Sequence, residues 1–211
     1  MDYKLSPSLK ILVFYFKINQ TFHCSECKEE KTMIWFTADL HIGHTNIIRH
    51  CNRPYSSVQE MNESLISNWN SRVKNNDIIY IMGDLFFRNT IPAEEYLNRM
   101  NGKKHLILGN HDKDWIKKVD MPKYFVSVGR LAEISDGEHK ITLCHYPMMT
   151  WNGMTKGSYL IYGHIHNNTN SDYWPLLKTM PNALNAGVDI NEFHPVSFDE
   201  LLYFNDKFRN Q

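Results

Sequence analysis

Ile34-Trp-Phe-Thr-Ala38, followed at once by Asp39-Leu-His41, is the stretch that decides the fold. A short, nearly continuous apolar run is what a strand buried on both faces requires. The carboxylate and imidazole behind it are two residues apart, so both point to the same side of an extended chain. The same order recurs four times. Ile78 to Met82 is followed by Gly83-Asp84, and His105 to Leu108 by Gly109-Asn110-His111-Asp112. Ile141 to Cys144 is followed by His145, and Tyr159 to Tyr162 by Gly163-His164-Ile165-His166. In open α/β sheets the carboxyl edge of the strands is where ligands bind, and glycines there suit tight turns and close backbone approach.

Helical patterns separate these strands. Ser57 to Asn75 carries Val58, Met61, Leu65, Trp69 and Val73 along one face, with Ser57 and Glu60 as a capping box. Ala93 to Met100 follows Pro92, and Ser197 to Phe204 closes the chain behind a second capping box, Ser197 and Glu200. A sixth strand is expected just before Asn185 to Val188. Strands interleaved with helices predict an α/β domain.

Composition agrees with an ordinary globular protein. The chain has 211 residues, 42% hydrophobic and 22% charged, which excludes disorder and collagen-like structure. With 23 basic and 23 acidic residues the net charge is zero, which argues against a protein that lives by clamping nucleic acid or an acidic membrane. Four cysteines are too few for a disulfide scaffold. The longest early apolar run, Ile11 to Phe16, is far short of the roughly 20 residues a bilayer needs. The expectation is therefore a cytoplasmic protein with reduced thiols and no membrane partner.

Residues 1–32 do not match the rest and read as a loosely packed or non-native extension, with the domain running over 33–211. Met33 is a candidate start. The competing reading, a zinc knuckle of His23, Cys24 and Cys27, lacks a second Cys pair to complete four ligands. A chain beginning at Met33 is expected to fold and to behave in every assay like the full chain. Insolubility or lost function of that truncation would show the extension to be structural.

Asp, Asn and His without Cys favour a borderline divalent metal such as Mn, Fe, Zn or Ni. Seven such ligands are too many for one ion. Shared between two, with one carboxylate bridging, they make the two-metal clamp used for in-line displacement at phosphorus. Any one of these motifs alone is a common turn or a core histidine; five in order, each at a strand end, have no structural explanation. Cys144 neighbours His145 and alternates into the core, and Cys51 reads as core. His23, His50, His105, His139 and His194 have no motif around them.

Asp39-x-His41, Gly83-Asp84, Gly109-Asn110-His111-Asp112, His145 and Gly163-His164-x-His166 together resemble the five blocks of the calcineurin-like metallophosphoesterases, from Met33 to about Asp189. The stretches Asp39 to Pro54 and Cys144 to Met148 look like a small bacterial and phage branch of predicted phosphoesterases. The resemblance implies an αββα sandwich of two mixed sheets flanked by helices. It implies hydrolysis of phosphate esters, mono- or diesters, by a water activated between two divalent ions, Mn foremost. Asp39, His41 and His166 would hold the first metal and Asn110, His145 and His164 the second, with Asp84 bridging. His111 would be the general acid or a donor to substrate. In the related protein phosphatases an Arg four residues after the bridging Asp contacts phosphate, which corresponds to Arg88. Their Asp three residues after it is Phe87 here, so protein phosphatase activity is not expected. Support for His111 would fall to Asp112 or to His44, which joins Arg88 on the substrate side.

Two other classes are weighed against this one. A metal-binding scaffold for protein interaction should have lost ligands, and this chain keeps them all. A nucleic-acid-binding protein or nuclease would use Lys103-Lys104 and Lys117-Lys118 as a local basic edge. Tyr146, Met148, Met149, Trp151, Tyr173 and Trp174 either line a pocket for a nucleotide base or cover the sheet edge.

Overall fold

The first sheet is built from β1 (Ile34–Thr37), β2 (Ile78–Ile81), β3 (Lys103–Ile107) and β4 (Phe125–Gly129), in that spatial order. All its pairings are parallel, and its antiparallel component is a single bridge from Phe36 to Val196. The second sheet holds β5 (Leu131–Ser135), β6 (Lys140–Cys144), β7 (Tyr159–Tyr162) and β8 (Ala183–Asn185), with β5–β6 antiparallel and the rest parallel. Helices α1 (Thr45–His50), α2 (Val58–Arg72), α3 (Ala93–Leu97), α4 (Met121–Tyr124), α5 (Trp174–Leu177) and α6 (Phe198–Arg209), with short 3₁₀ turns at Ile116–Lys118, Met154–Lys156 and Val188–Ile190, complete the elements of the described residues. This computed structural model describes residues 32–88 and 91–211, so the run Ile11 to Phe16 and the His23, Cys24, Cys27 group lie outside the described residues.

Two-residue alternation along the strands sorts the core into layers. Trp35, Ile79, Ile81 and Leu106 turn outward and pack with Met61, Leu65 and Trp69 of α2 and Tyr96 and Leu97 of α3. Phe36, Met82 and Ile107 turn inward against Ile141, Leu143, Ile161 and Leu184 of the second sheet, closed by Phe198, Leu201 and Phe204 of α6. Leu160, Tyr162 and Ala183 face out of the second sheet onto Trp151, Trp174, Leu177 and Phe208. The result is helix, sheet, sheet, helix, as the resemblance implied. Trp151 and Trp174 therefore serve the third layer, Trp174 also bordering a cavity with Asp189 and Phe208, whereas Tyr146, Met149 and Tyr173 are exposed.

Local signals hold with adjustments. At α6 the Ser197–Glu200 capping box is complete. At α2 Ser57 accepts from the Glu60 N–H at 3.1 Å, but the Glu60 carboxylate turns back to the N–H of Ser56 at 2.8 Å instead of Ser57. Strands β4 and β5 were not legible. Val126, Val128 and Leu131 are exposed on them, so alternation does not mark a buried face. Lys103 and Lys104 open β3, at the amino end of a parallel sheet, and Lys104 is buried, with burial pushing its amine down to about 8. That pair forms no basic edge beside the strand ends that carry the motifs. Among the described residues no helix is long and apolar enough to cross a membrane.

Candidate functional site

The hydrogen-bond ladder of the first sheet continues past its strands. The N–H groups of Asp39, His41 and Ile42 donate to the carbonyls of Gly83, Asp84 and Leu85 at 3.0, 2.9 and 3.0 Å. The loops after β1 and β2 are thereby zipped together, with Asp39, His41 and Asp84 held at φ of 58°, 52° and 53°. His164 and His166, after β7, lie at 73° and 51°. Left-handed backbone costs a non-glycine residue roughly 1–2 kcal/mol, and concentration of such residues at one edge is the mark of a functional site. Close approach accounts for two glycines. A Cβ on Gly109 would overlap the Asp84 carboxylate, and one on Gly163 would stand 2.7 Å from Asp39 Oδ2.

The polar atoms form two groups that meet at Asp84. Ligand atoms of Asp39, His41 and His166 lie within 4.8 Å of one another, and so do those of Asp84, His145 and His164. Asp84 Oδ2 is 3.5 Å from His41 Nε2 and 3.5 Å from His145 Nε2. Its Oδ1 accepts the His111 N–H at 2.8 Å, which ties the third loop to the second. Asn110 Oδ1 joins the second group, 3.0 Å from His145 Nε2.

These residues suit cations. Asp39 Oδ1 and His41 Nε2 are buried without a hydrogen-bond partner, which a native interior rarely leaves uncompensated. His145 Nδ1 lies 2.7 Å from the Met82 carbonyl and so carries the proton. With the proton on Nδ1 of a neutral ring, the Nε2 lone pair faces two acceptors, Asn110 Oδ1 and Asp84 Oδ2, with nothing to donate between them. Burial pushes the Asp39 carboxyl up to about 6, against the pull of His166 and His145. Burial, with His166 and Arg53 adding to it, holds His41 well below the ordinary imidazole range. An oxygen and nitrogen donor set of this kind fits Mn, Fe, Zn or Ni.

Two buried residues with no sequence signal of their own support the first group. His166 Nδ1 pairs with Asp189 Oδ2 at 2.7 Å, leaving Nε2 free. Arg53 grips both oxygens of Asp189, at 2.8 and 3.1 Å, and donates to the carbonyls of Leu40 and Asp39 at 2.8 and 2.7 Å. Burial opposes the His166 charge, but Asp39 and the Asp189 bond outweigh it and raise the imidazole to about 11. Cys51 is buried and its sulfur lies in a further cluster with His166 and Asp189. That Asp189 is already engaged by Arg53 and His166, so the cluster reads as packing around the pair. Cys144 is half-buried against the third layer.

His111 and its surroundings differ from the expectation. Asp112 is buried, and its carboxylate accepts from the N–H groups of Asp84, Leu85 and Gly109 and from Trp115 Nε1. It braces the loops and gives the His111 ring nothing. The carboxylate nearest that ring among the described residues is Asp84, 4.0 Å away. Phe87 packs its edge against His111 at 4.8 Å and stacks on His44 at 3.9 Å, so an aromatic ring fixes the imidazoles where a carboxylate stood in the protein phosphatases. His44 Nδ1 is 3.3 Å from His41 Nδ1, and burial, then His111, lowers its pKa to about 4. Arg88 is exposed, over the Phe87 ring at 5.4 Å, and lines the same cavity as Asn110 and His111.

Comparison with known proteins bears on this edge. The family model of the calcineurin-like phosphoesterases matches residues 32–196. An uncharacterized protein of Methanocaldococcus jannaschii is 34% identical over 82% of this chain and 92% of its own length. The gene 66 protein of Mycobacterium phage D29 is 27% identical over 80% of this chain and 93% of its own. A solved protein of unknown function from Aquifex aeolicus superposes with a TM-score of 0.63 at 25% identity, covering 81% of this chain and 98% of that one.

Proposed function

Because the chain belongs to the calcineurin-like phosphoesterases, we propose that it hydrolyses phosphate esters at a centre of two divalent ions, Mn foremost. The observation that supports this best is the pair of ligand groups meeting at Asp84, with acceptor atoms on both sides that no protein donor satisfies. Asp39, His41 and His166 would hold one ion, Asn110, His145 and His164 the other, and Asp84 both. When bound, such ions acidify a water and neutralise phosphate oxygens. Asp189 fixes the tautomer of His166 so that Nε2 faces the site, as carboxylates commonly do for metal-ligating imidazoles. Arg88 takes charge from the non-bridging oxygens. His44, neutral at pH 7, orders the ring of His41. His111, part-exposed at the cavity wall, donates a proton to the leaving oxygen.

The family-level test is turnover of p-nitrophenyl phosphate and its bis ester with added Mn, Ni, Zn or Fe. No hydrolysis with any of them would remove the reading. His111 is tested by the leaving group. His111→Ala should cost little with a nitrophenyl ester, whose anion leaves unaided, and roughly 10²–10⁴-fold with an alkyl ester. Metal content should stay at the wild-type level. Equal losses in kcat/KM on both esters would make His111 a phosphate donor instead.

A further inference from the structure

The site opens into a groove of about 1290 Å³. That exceeds the usual 300–1,000 Å³ of small-molecule pockets, and a lone phosphate with a small alcohol would leave most of it unfilled. Asn110 and His111 are part of its wall, so it is continuous with the reacting centre. Its apolar lining includes Phe87, Ile91, Pro92 and Trp115, of which Ile91 and Pro92 are exposed.

Charge along the groove is uneven. Arg88, Lys113, Lys117 and Lys118 line it against Glu94 and Asp114, four cations to two carboxylates, on a chain whose net charge is zero. Lys117 approaches Asp114 at 3.8 Å, but the side chains are 73% and 90% exposed, and so open a pair leaves the ammonium available. Lys113 and Lys118 are exposed and have no ion-pair partner within 4.0 Å among the described residues. Lys113 also lines a smaller neighbouring cavity with Arg130 and the exposed Tyr146. Ammonium groups spaced over an apolar bed match a chain in which flat rings alternate with phosphates.

We propose that this groove is a subsite for the leaving group, and that the leaving group is a nucleotide carrying at least one further phosphate, held by Lys113, Lys117 and Lys118. The assignment rests on the proposed phosphoesterase activity and on His111 as proton donor: the residue that protonates the departing oxygen borders the groove, so what departs lies along it. Water gives up one proton to solvent and its hydroxyl adds to phosphorus, the ester P–O bond breaks, and the leaving oxygen takes its proton from His111, which solvent reprotonates. No oxidant or further reactant is needed.

The test uses the full chain with Mn and three substrates: dithymidylate and its forms phosphorylated at the 5′ or at the 3′ end. One of the phosphorylated forms carries its extra phosphate on the leaving side. It should exceed dithymidylate in kcat/KM by roughly tenfold, the worth of one charge-assisted contact, and the advantage should shrink as salt rises from 50 to 200 mM. Lys117→Ala/Lys118→Ala and Lys113→Ala should reduce that ratio. Neither phosphorylated form preferred, or a preference untouched by both variants, would overturn the proposal. Absence of turnover on every ester, nitrophenyl esters included, would instead overturn the activity on which it rests. An octathymidylate cleaved faster than the preferred dinucleotide supports a strand as the source of the phosphate. Equal rates support a free nucleotide of that size.

Discussion

Asp84→Ala should abolish hydrolysis and leave at most one ion per chain, where the proposed assignment gives the wild type two. Asp84 belongs to one ligand group and reaches the other, with Oδ2 3.5 Å from both His41 and His145. Its loss removes a shared charge from two cations at once, and several kcal/mol of transition-state stabilisation corresponds to roughly 10³-fold or more in rate. The alanine also frees the His111 N–H that Oδ1 holds. Asp84→Asn keeps an acceptor for that N–H and removes only the charge, so it should lose activity almost as completely while keeping its unfolding temperature closer to wild type. Metal analysis and kcat/KM on one nitrophenyl ester decide the matter. Two retained ions with near-normal turnover in Asp84→Asn would refute the shared-carboxylate assignment.

Arg53→Met should be the most destabilising single change near the site. The Arg53 and Asp189 side chains are 0% and 1% exposed. Removing Arg53 leaves the buried Asp189 carboxylate with His166 as its remaining side-chain partner, and breaking such a buried pair costs about 3–5 kcal/mol, roughly 6–20 °C in Tm for a chain of this size. Arg53 also secures the carbonyls of Asp39 and Leu40, so the first loop loosens with it. Asp189→Asn should also cost stability, because the Arg53 charge stays buried without its carboxylate, but an amide still accepts from His166, so a second part of the loss falls on metal affinity. Calorimetric titration with Mn should show the tighter or weaker of two sites shifted by roughly 10–100-fold, as loss of an outer-shell partner commonly does. The double variant should recover stability relative to Arg53→Met, since no lone carboxylate remains. A loss below about 1 kcal/mol in Arg53→Met would mean that water reaches Asp189.

Residue chemistry makes much of this edge readable in the sequence. Asp39, His41, Asp84, Asn110, His145, His164 and His166 announced themselves because metal-binding side chains followed apolar runs, and the fold brings them to one edge. Arg53 and Asp189 did not, because each is an ordinary charged residue in a loop and their partnership spans 136 positions. Only a structure reveals that such a pair is buried. The expected support of His111 by Asp112 is absent for a related reason. Adjacency suggests that carboxylate, but it is spent on four N–H donors, and the ring packs on Phe87. Packing by an aromatic edge leaves no polar signature in a sequence. Strands β4 and β5 escaped because they lie at sheet edges, where one face need not be apolar.

The origin of the ligands also bears on how the molecule holds together. Asp39 and His41 follow a strand of the first sheet, whereas His166 follows one of the second. Asp84 and Asn110 come from the first sheet, and His145 and His164 from the second. Each ion in the proposed assignment would therefore act as a rivet through both halves of the sandwich, at the one edge where five residues already sit in a disfavoured backbone region. Cofactor occupancy and fold stability become a single thermodynamic quantity. Every tenfold rise in free metal above its dissociation constant would add about 1.4 kcal/mol per site to the folded state. A cell short of the metal would lose the protein as well as its activity, because the emptied edge is where the two sheets would begin to part.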